Sequence, residues 1–506
     1  MKLLTDRYQA DLLGVLSCYD RMIITGTLPG ACYAGGMTSF LNSRHIKIFD
    51  YAKVFADPWR ERIRQCAHEL ADKHGIAIEH VNKPHIRKED LIAKVIAQRG
   101  EHPGLVHILS AMEACSAYKP WHDKNSHKTF LRPTSGKCLH YYFYFIDEEV
   151  GLCYLRVPTW CPFRLQFYCN GHSWLETKLA ANGIGYAMAD NAFIRIDDFA
   201  RAQSLADQLK PDDLHRILDR YAKMCCPVQE VFGQQYHWSL MQTEYSTDLT
   251  FRSDTVLSTL YGDISRQAVI AVKAEQVSSF LGKKVTPQLA QELGTRLSTR
   301  IEGTCIKHHM GSASIKIYDK FGRVLRIETT TNDVSFFKHH RKVEHRDGTS
   351  DYRVADLKKS IFSLGDLAGL MRAGCARYLE FVGELEDRSG GQTNLEQISR
   401  PVKDERERSW RGFNFFLGHD LTVLLGIMRG EYQISGMSNR RMPAVLPGKN
   451  SGQIGRILKR LRLHGLIKKV GKTYKYYLTE LGRRAVLVGL KLKEHLIVPG
   501  LATASA

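Results

Sequence analysis

Along the first four hundred residues, runs in which apolar and polar positions alternate every second residue are separated by runs with a helical period. Ser17 to Leu28 and His140 to Ile146 are rich in branched and aromatic side chains and predict strands. The acidic turn Asp147 to Gly151 leads into Leu152 to Val157, which predicts a hairpin. Asp57 to Gly75 and His172 to Gly183 carry helical spacing and end in glycine, a common helix stop. Further on, Tyr236 to Phe251 predicts one long strand, Asp254 to Lys273 a helix, and Arg300 to Thr330 three short strands joined by tight turns. The pattern predicts an α+β (mixed α/β) body.

After Gly418 the pattern changes. Asp420 can cap a short helix through Met428, Ser438 or Asn439 a second toward Pro443, and Ser451 starts a third that stops at His464-Gly465. In that third helix Ile454, Ile457, Leu458 and Leu461 share one face, so Gln453, Arg456, Lys459 and Arg460 are expected on the other. Leu466 to Val470 and Thr473 to Thr479 flank Gly471-Lys472 as a hairpin. A last helix, Leu481 to Leu496, puts Leu481, Ala485, Val488, Leu492 and Leu496 on one stripe, for core packing or for pairing two subunits as a homodimer. The proline and mixed charges of 400–412 predict an exposed linker. The expected division is therefore 1–235, 236–399, the linker 400–412, 413–499 and a tail 500–506.

Composition adds a sign. The 506 residues carry 72 Lys+Arg against 53 Asp+Glu, a net charge of +19, which favours a polyanionic partner. With 43% hydrophobic residues, disorder and collagen-like repeats are excluded. No apolar run approaches the roughly 18 residues of a membrane span, and the charged opening around Asp6 and Arg7 is unlike a signal peptide, so a cytoplasmic protein is expected. Twelve cysteines without a C-x-x-C pair predict reduced, structural thiols; Cys161, Cys169 and His172 lack the spacing of zinc ligands. Between Lys449 and Thr479 there are nine Lys/Arg and no Asp/Glu, unlike an ordinary solvated face.

The segment SGQIGRILKRLRLHGLIKKVGKTYKYYLTELGRR resembles the winged helix-turn-helix family, including its MarR-like and plasmid-replication variants, over roughly Phe413 to Pro499. The resemblance implies a third helix lying in the major groove of double-stranded DNA, with Gln453, Arg456, Lys459 and Arg460 at bases or phosphates. Lys468, Lys469, Lys472 and Lys475 would hold the flanking backbone.

Chemistry is sought in the middle of the chain. Glu244 and Asp248 lie four apart on a presumed strand and so share a face, and a hairpin bearing Asp319 and Glu328 could bring further acids beside them. Such a cluster, with Glu244, Asp248 and Glu328 as metal ligands, would take Mg²⁺ or Mn²⁺ and cut or join DNA. The alternative is that Lys316, Lys320 and Arg326 pair with these acids as structural ion pairs. SIKIYDK and LRIETT resemble the closing strands of rolling-circle replication initiators, which implies Asp319 and Glu328 as acidic positions; the His-hydrophobe-His motif of many initiators is absent. Asp20 on a first strand with a later Glu113 is similar to the start of an RNase H-like transposase. Tyr141, Tyr142, Tyr144 and Tyr154 among Lys137, Arg156 and Arg164 suit either a stacking groove for single-stranded nucleic acid or an aromatic core. No P-loop, dinucleotide fingerprint or nucleophile elbow is present. The expectation is a DNA-binding protein of DNA mobility, replication initiation or recombination, with metal-dependent cleavage in the central region. Its rivals are a transcriptional regulator without enzymatic activity and a factor that binds RNA or is guided by it.

Overall fold

The computed structural model describes residues 4–502 except 83–85, 273, 284–293, 301–302, 346, 387–388 and 472. The chain forms two compact units, Met1–Leu385 and Glu386–Ala506. The mixed α/β body expected from the sequence is present, and among the described residues no helix is long and apolar enough to cross a membrane.

The first unit is built on one sheet of eleven strands. They are β1 (Leu12–Thr27), β2 (Ile78–His80), β3 (Gly104–Asp123), β4 (Lys128–Asp147), β5 (Gly151–Pro158), β6 (Leu165–Asn170), β9 (His237–Phe251), β10 (Gly294–Arg300), β11 (Gly303–Met310), β12 (Ala313–Lys320) and β13 (Val324–Thr331). Among the described residues of this unit, two separate hairpins stand outside the sheet: β7 (Tyr186–Ala189) with β8 (Ala192–Ile196), between β6 and β9 in the chain, and β14 (Lys338–Glu344) with β15 (Ser350–Asp356), after β13. The order β10-β11-β12-β13-β9-β1-β6-β5-β4-β3-β2 is a duplication: β9 followed by the meander β10 to β13 repeats β1 followed by β3 to β6. The halves meet where β1 and β9 pair antiparallel, with Tyr19 opposite Tyr245. This pairing joins residues more than two hundred positions apart, so the boundary expected at 235/236 falls inside a continuous sheet.

One sheet face is apolar. Ile315, Ile317, Leu325, Ile327 and Leu249 pack beneath α5 (Asp254–Ala271) and α6 (Leu364–Glu386), while the first half buries Phe143, Leu155 and Phe167 in a larger core that also takes in the inner residues of α1 (Asp57–His74) and α4 (Pro211–Cys225). Gly75 ends α1 in the left-handed conformation, which a side chain rarely adopts. The tyrosines 142, 144 and 154 pack with Ile92 of α2 (Lys88–Arg99), so they form a local core and no stacking groove. The opposite face carries charge, and α3 (Gly171–Ala181) brings His172 to it.

The second unit begins earlier than expected, with α7 (Ser389–Ser399), whose Ile398 joins its core. The 400–412 segment is exposed apart from Asp404 and a few half-buried residues, but it is a folded hairpin rather than a linker: β16 (Val402–Lys403) pairs with β17 (Ser409–Trp410) around Asp404. That carboxylate accepts from the backbone of Arg406 and Arg408, the guanidinium of Arg408, the indole of Trp410 and the ammonium of Lys459. Then follow α8 (Gly418–Ile427), α9 (Gly430–Ser435), α10 (Ser451–Leu463), the hairpin β18 (Ile467–Lys469) and β19 (Tyr476–Leu478), and α11 (Glu480–Leu492). Asn450 caps α10, and Gln453 returns the bond to the Asn450 backbone.

Candidate functional site

Alternation on β9, β12 and β13 sets Glu244, Ser246 and Asp248 beside Arg326, Glu328 and Thr330, and these beside Lys316, Tyr318 and Lys320. From β1 comes Asp20, which alternates with Leu16 and Cys18, opposite Asp248 and Ser246, onto the same face. Tyr19 is opposite Tyr245 and Met22 opposite Thr243, so Asp20 and Arg21 together face Glu244 across a β-bulge. Asp20 thus lies on the charged face, where ligand oxygens of Asp20, Glu244 and Glu328 lie within 4.8 Å of one another.

Two ionic groups divide this face. In the first, Arg326 is fully buried and donates to Asp248 through Nε (2.8 Å) and Nη2 (2.6 Å) and to Asp20 through Nη1 (3.2 Å). Its Nη2 also reaches His172 Nε2 at 2.9 Å, while His172 Nδ1 lies 3.4 Å from Asp20. Asn170 and Asn191 donate to the same Asp20 oxygen at 2.8 and 2.7 Å. Burial alone would raise both aspartates; Arg326 reverses this, holding Asp248 at about 2 and Asp20 well below the carboxylate range.

In the second group Lys316 Nζ bonds Glu328 and lies 3.4 Å from Glu244, while Tyr318 and Thr330 hydroxyls donate to Glu328 at 2.8 and 3.0 Å. Burial works against the Glu328 carboxylate, yet Lys316 keeps its pKa below the ordinary value. At Glu244 Lys316 offsets only part of the opposing effects. Burial, and then the charge of Glu328, push it up to about 7. Four carboxylates face Arg326, Lys316 and Lys320, with Lys307 at the edge, and Glu244 is the one whose neutral form is favoured. A cleft of about 290 Å³ reaches Glu244 from the side of Lys307 and His309.

Of the acids expected to converge, Glu244 and Glu328 do, and Asp20 replaces Asp248 beside them. Asp248 is withdrawn from the expected metal set because both its oxygens bind Arg326. Asp319 is also withdrawn: it alternates with Tyr318 and Lys320 onto the other side of β12, where it accepts from the Gly322 backbone and closes a turn. The residues unforeseen for this site are His172, Asn170 and Asn191. Glu113 is far along the sheet, bound to Lys88, Tyr142 and Arg156. Cys161 and Cys169 are buried in the core.

In the second unit the expected cationic face is thinner than the sequence suggests. Arg456 is exposed. Arg460 is not: it binds both oxygens of Asp420 at 2.8 and 2.9 Å and the Arg411 carbonyl, and lies 3.8 Å above the Phe413 ring. Asp420 is thus its buried partner and does not cap α8, which starts two residues earlier. Lys459 is drawn to Asp404 at 2.6 Å, and Gln453 serves the cap of α10. Lys468, Lys469 and Lys475 are exposed on the hairpin, while Lys472 lies outside the described residues. Of the last helix's stripe, Leu481 and Ala485 join the core, whereas Val488, Leu492 and Leu496 are exposed.

No family model matches the chain, and no curated protein matches it. One solved structure, the class II 3-hydroxy-3-methylglutaryl-CoA reductase from Streptococcus pneumoniae bound to NADPH, aligns over 88% of this chain and 78% of its own at 12% identity. Its TM-score of 0.19 carries no argument about fold or activity.

Proposed function

We propose that the chain is a DNA-binding protein of DNA mobility, replication initiation or recombination, with metal-dependent phosphodiester cleavage in its first unit and a winged helix in its second. The observation that carries this reading is the convergence of Asp20, Glu244 and Glu328, whose ligand oxygens lie within 4.8 Å of one another. Three carboxylate oxygens are a hard donor set that suits Mg²⁺ or Mn²⁺, and the raised pKa of Glu244 marks the place where a further positive charge is wanted. A bound ion of this kind would polarise a phosphate oxygen and lower the pKa of a bound water. The chain's own residues prepare the place: Arg326 and the two asparagines orient Asp20, Tyr318 and Thr330 orient Glu328, and the Glu244 cleft admits the substrate.

Support for duplex binding comes from the order of α8, α9, α10 and the β18/β19 hairpin, with Arg456, Lys468, Lys469 and Lys475 exposed. Lys316, lying between Glu244 and Glu328, supports the rival reading, a winged-helix regulator whose acids are structural. The two readings part in a nicking assay on supercoiled DNA. The proposal requires nicking that depends on Mg²⁺ or Mn²⁺ and is lost in Asp20→Asn, Glu244→Gln and Glu328→Gln; a regulator leaves every substrate intact.

A further inference from the structure

In the first half of the sheet β6 carries no acid where β13 carries Glu328. Gln166, Tyr168 and Asn170 occupy the strand that corresponds to the one bearing Arg326, Glu328 and Thr330. Beside them opens a cleft of about 510 Å³, within the size range of small-molecule sites. Its lining has three properties together. Every Lys, Arg, Asp or Glu on it is an arginine, Arg156 or Arg164. Arg156 is held by Glu113, which Lys88 also neutralises, so this trio stays net positive, and Arg164 is exposed. Trp160, Pro158 and Met241 give the lining apolar surface, with the Arg60 guanidinium 5.8 Å from the centre of the Trp160 ring. Gln166 and Gln242 add amide groups, each donor and acceptor, to the lining.

Cations beside an aromatic plane and amide edges are the chemistry that recognises a nucleotide: the phosphate takes the arginines, the base stacks, and the amides meet its edge. The cleft is also joined to the carboxylate site. Gln242 and Asn332 line both it and the smaller cleft at Glu244, and Gln242 Nε2 lies 3.4 Å from Glu244 Oε1.

We propose that this cleft is a nucleotide-binding subsite that takes one unit of an unpaired DNA strand, its base against Trp160 and its phosphate at Arg164, beside the acidic site. The subsite rests on the reading that this unit handles nucleic acid, but its binding chemistry needs no metal. The same chemistry would hold a free deoxynucleotide, so the test separates strand from mononucleotide.

The full-length protein in EDTA is irradiated with a single-stranded oligodeoxynucleotide carrying 5-bromodeoxyuridine, and the crosslinked peptide is identified by mass spectrometry. Crosslinking to the peptide containing Trp160 is expected, with at least a tenfold loss of crosslinking and affinity in Arg164→Ala. Because Arg164 is exposed, this variant keeps its fold; Gln166→Ala is the second variant and should weaken binding several-fold. Competition by millimolar deoxynucleoside monophosphate at full strength assigns the subsite to free nucleotide; competition only by longer strands assigns it to a strand held on the sheet. Crosslinks confined to 449–479, crosslinking of an RNA strand alone, or unchanged affinity in both variants would overturn the proposal. Glu244→Gln keeps the crosslink if the subsite is real, even where nicking proves absent, so the two claims fail separately.

Discussion

Arg456 and Arg460 lie four residues apart on one cationic helix, and the structure assigns them opposite fates on removal. Arg460 is 8% exposed, and its guanidinium satisfies Asp420, itself fully buried, and two backbone carbonyls, of Arg411 and Gly412. Arg460→Ala strands the Asp420 carboxylate with Arg411, which is largely in solvent, and the Asn414 backbone. Removing one partner of a buried ion pair costs about 3–5 kcal/mol, against only about 0–0.5 kcal/mol for an exposed side chain such as Arg456. Hydrogen exchange on the full-length protein reads this directly, because the slowest amides of α8 and α10 report the opening free energy of the second unit. Arg460→Ala should speed them by two to three orders of magnitude, while Arg456→Ala leaves them unchanged and weakens duplex binding. Asp420, lowered to about 2 chiefly by Arg460 against the opposing effect of burial, adds a pH signature. The stability it contributes is complete above the ordinary aspartate value of 3.8 and is lost as the pH falls through about 2. Equal exchange in the two variants, or normal protection in Arg460→Ala combined with lost DNA binding, would refute the assignment.

Other consequences are as direct. Glu244 is raised from 4.5 to about 7, so the folded protein binds this proton more tightly than the unfolded chain does. The metal-free protein should therefore lose stability as the pH rises from 4.5 through 7, and Glu244→Gln should abolish that slope in urea titrations across this range. Lys468→Ala, Lys469→Ala and Lys475→Ala should each lower the slope of log affinity against log salt by about 0.9 on duplex DNA if its lysine contacts a phosphate, without changing sequence preference. Asp404→Ala removes the acceptor that closes the 402–410 hairpin, so trypsin should cut at Arg406 and Arg408 far faster than in the parent protein.

What could be read from the sequence was what local periodicity controls. Alternation on the long strands placed Glu244 and Glu328 on one face, and the hairpins around 147–151 and 310–324 follow from their turns. Asp248 was read onto the right face, but its engagement with Arg326 depends on strand register between segments nearly eighty residues apart. Asp20 reached the site across a β1–β9 pairing that spans most of the unit, which local periodicity cannot show. The duplication was invisible for a related reason: its halves share strand order while their facing residues differ, with amides and a tyrosine in one and acids and an arginine in the other. On α10 the helical period separated apolar from cationic positions but could not tell that Arg460, at the border of the stripe, has a buried acid waiting forty residues upstream.

The central claim is that Asp20, Glu244 and Glu328 hold a divalent cation. Crystals of the protein soaked in Mn²⁺ and measured at the manganese absorption edge test it most directly. The account predicts one anomalous peak among the three carboxylates, at about 2.0–2.2 Å from an oxygen of each, with Lys316 displaced from Glu244. A clean map with no peak there, and Lys316 still lying between Glu244 and Glu328 at saturating Mn²⁺, would contradict it.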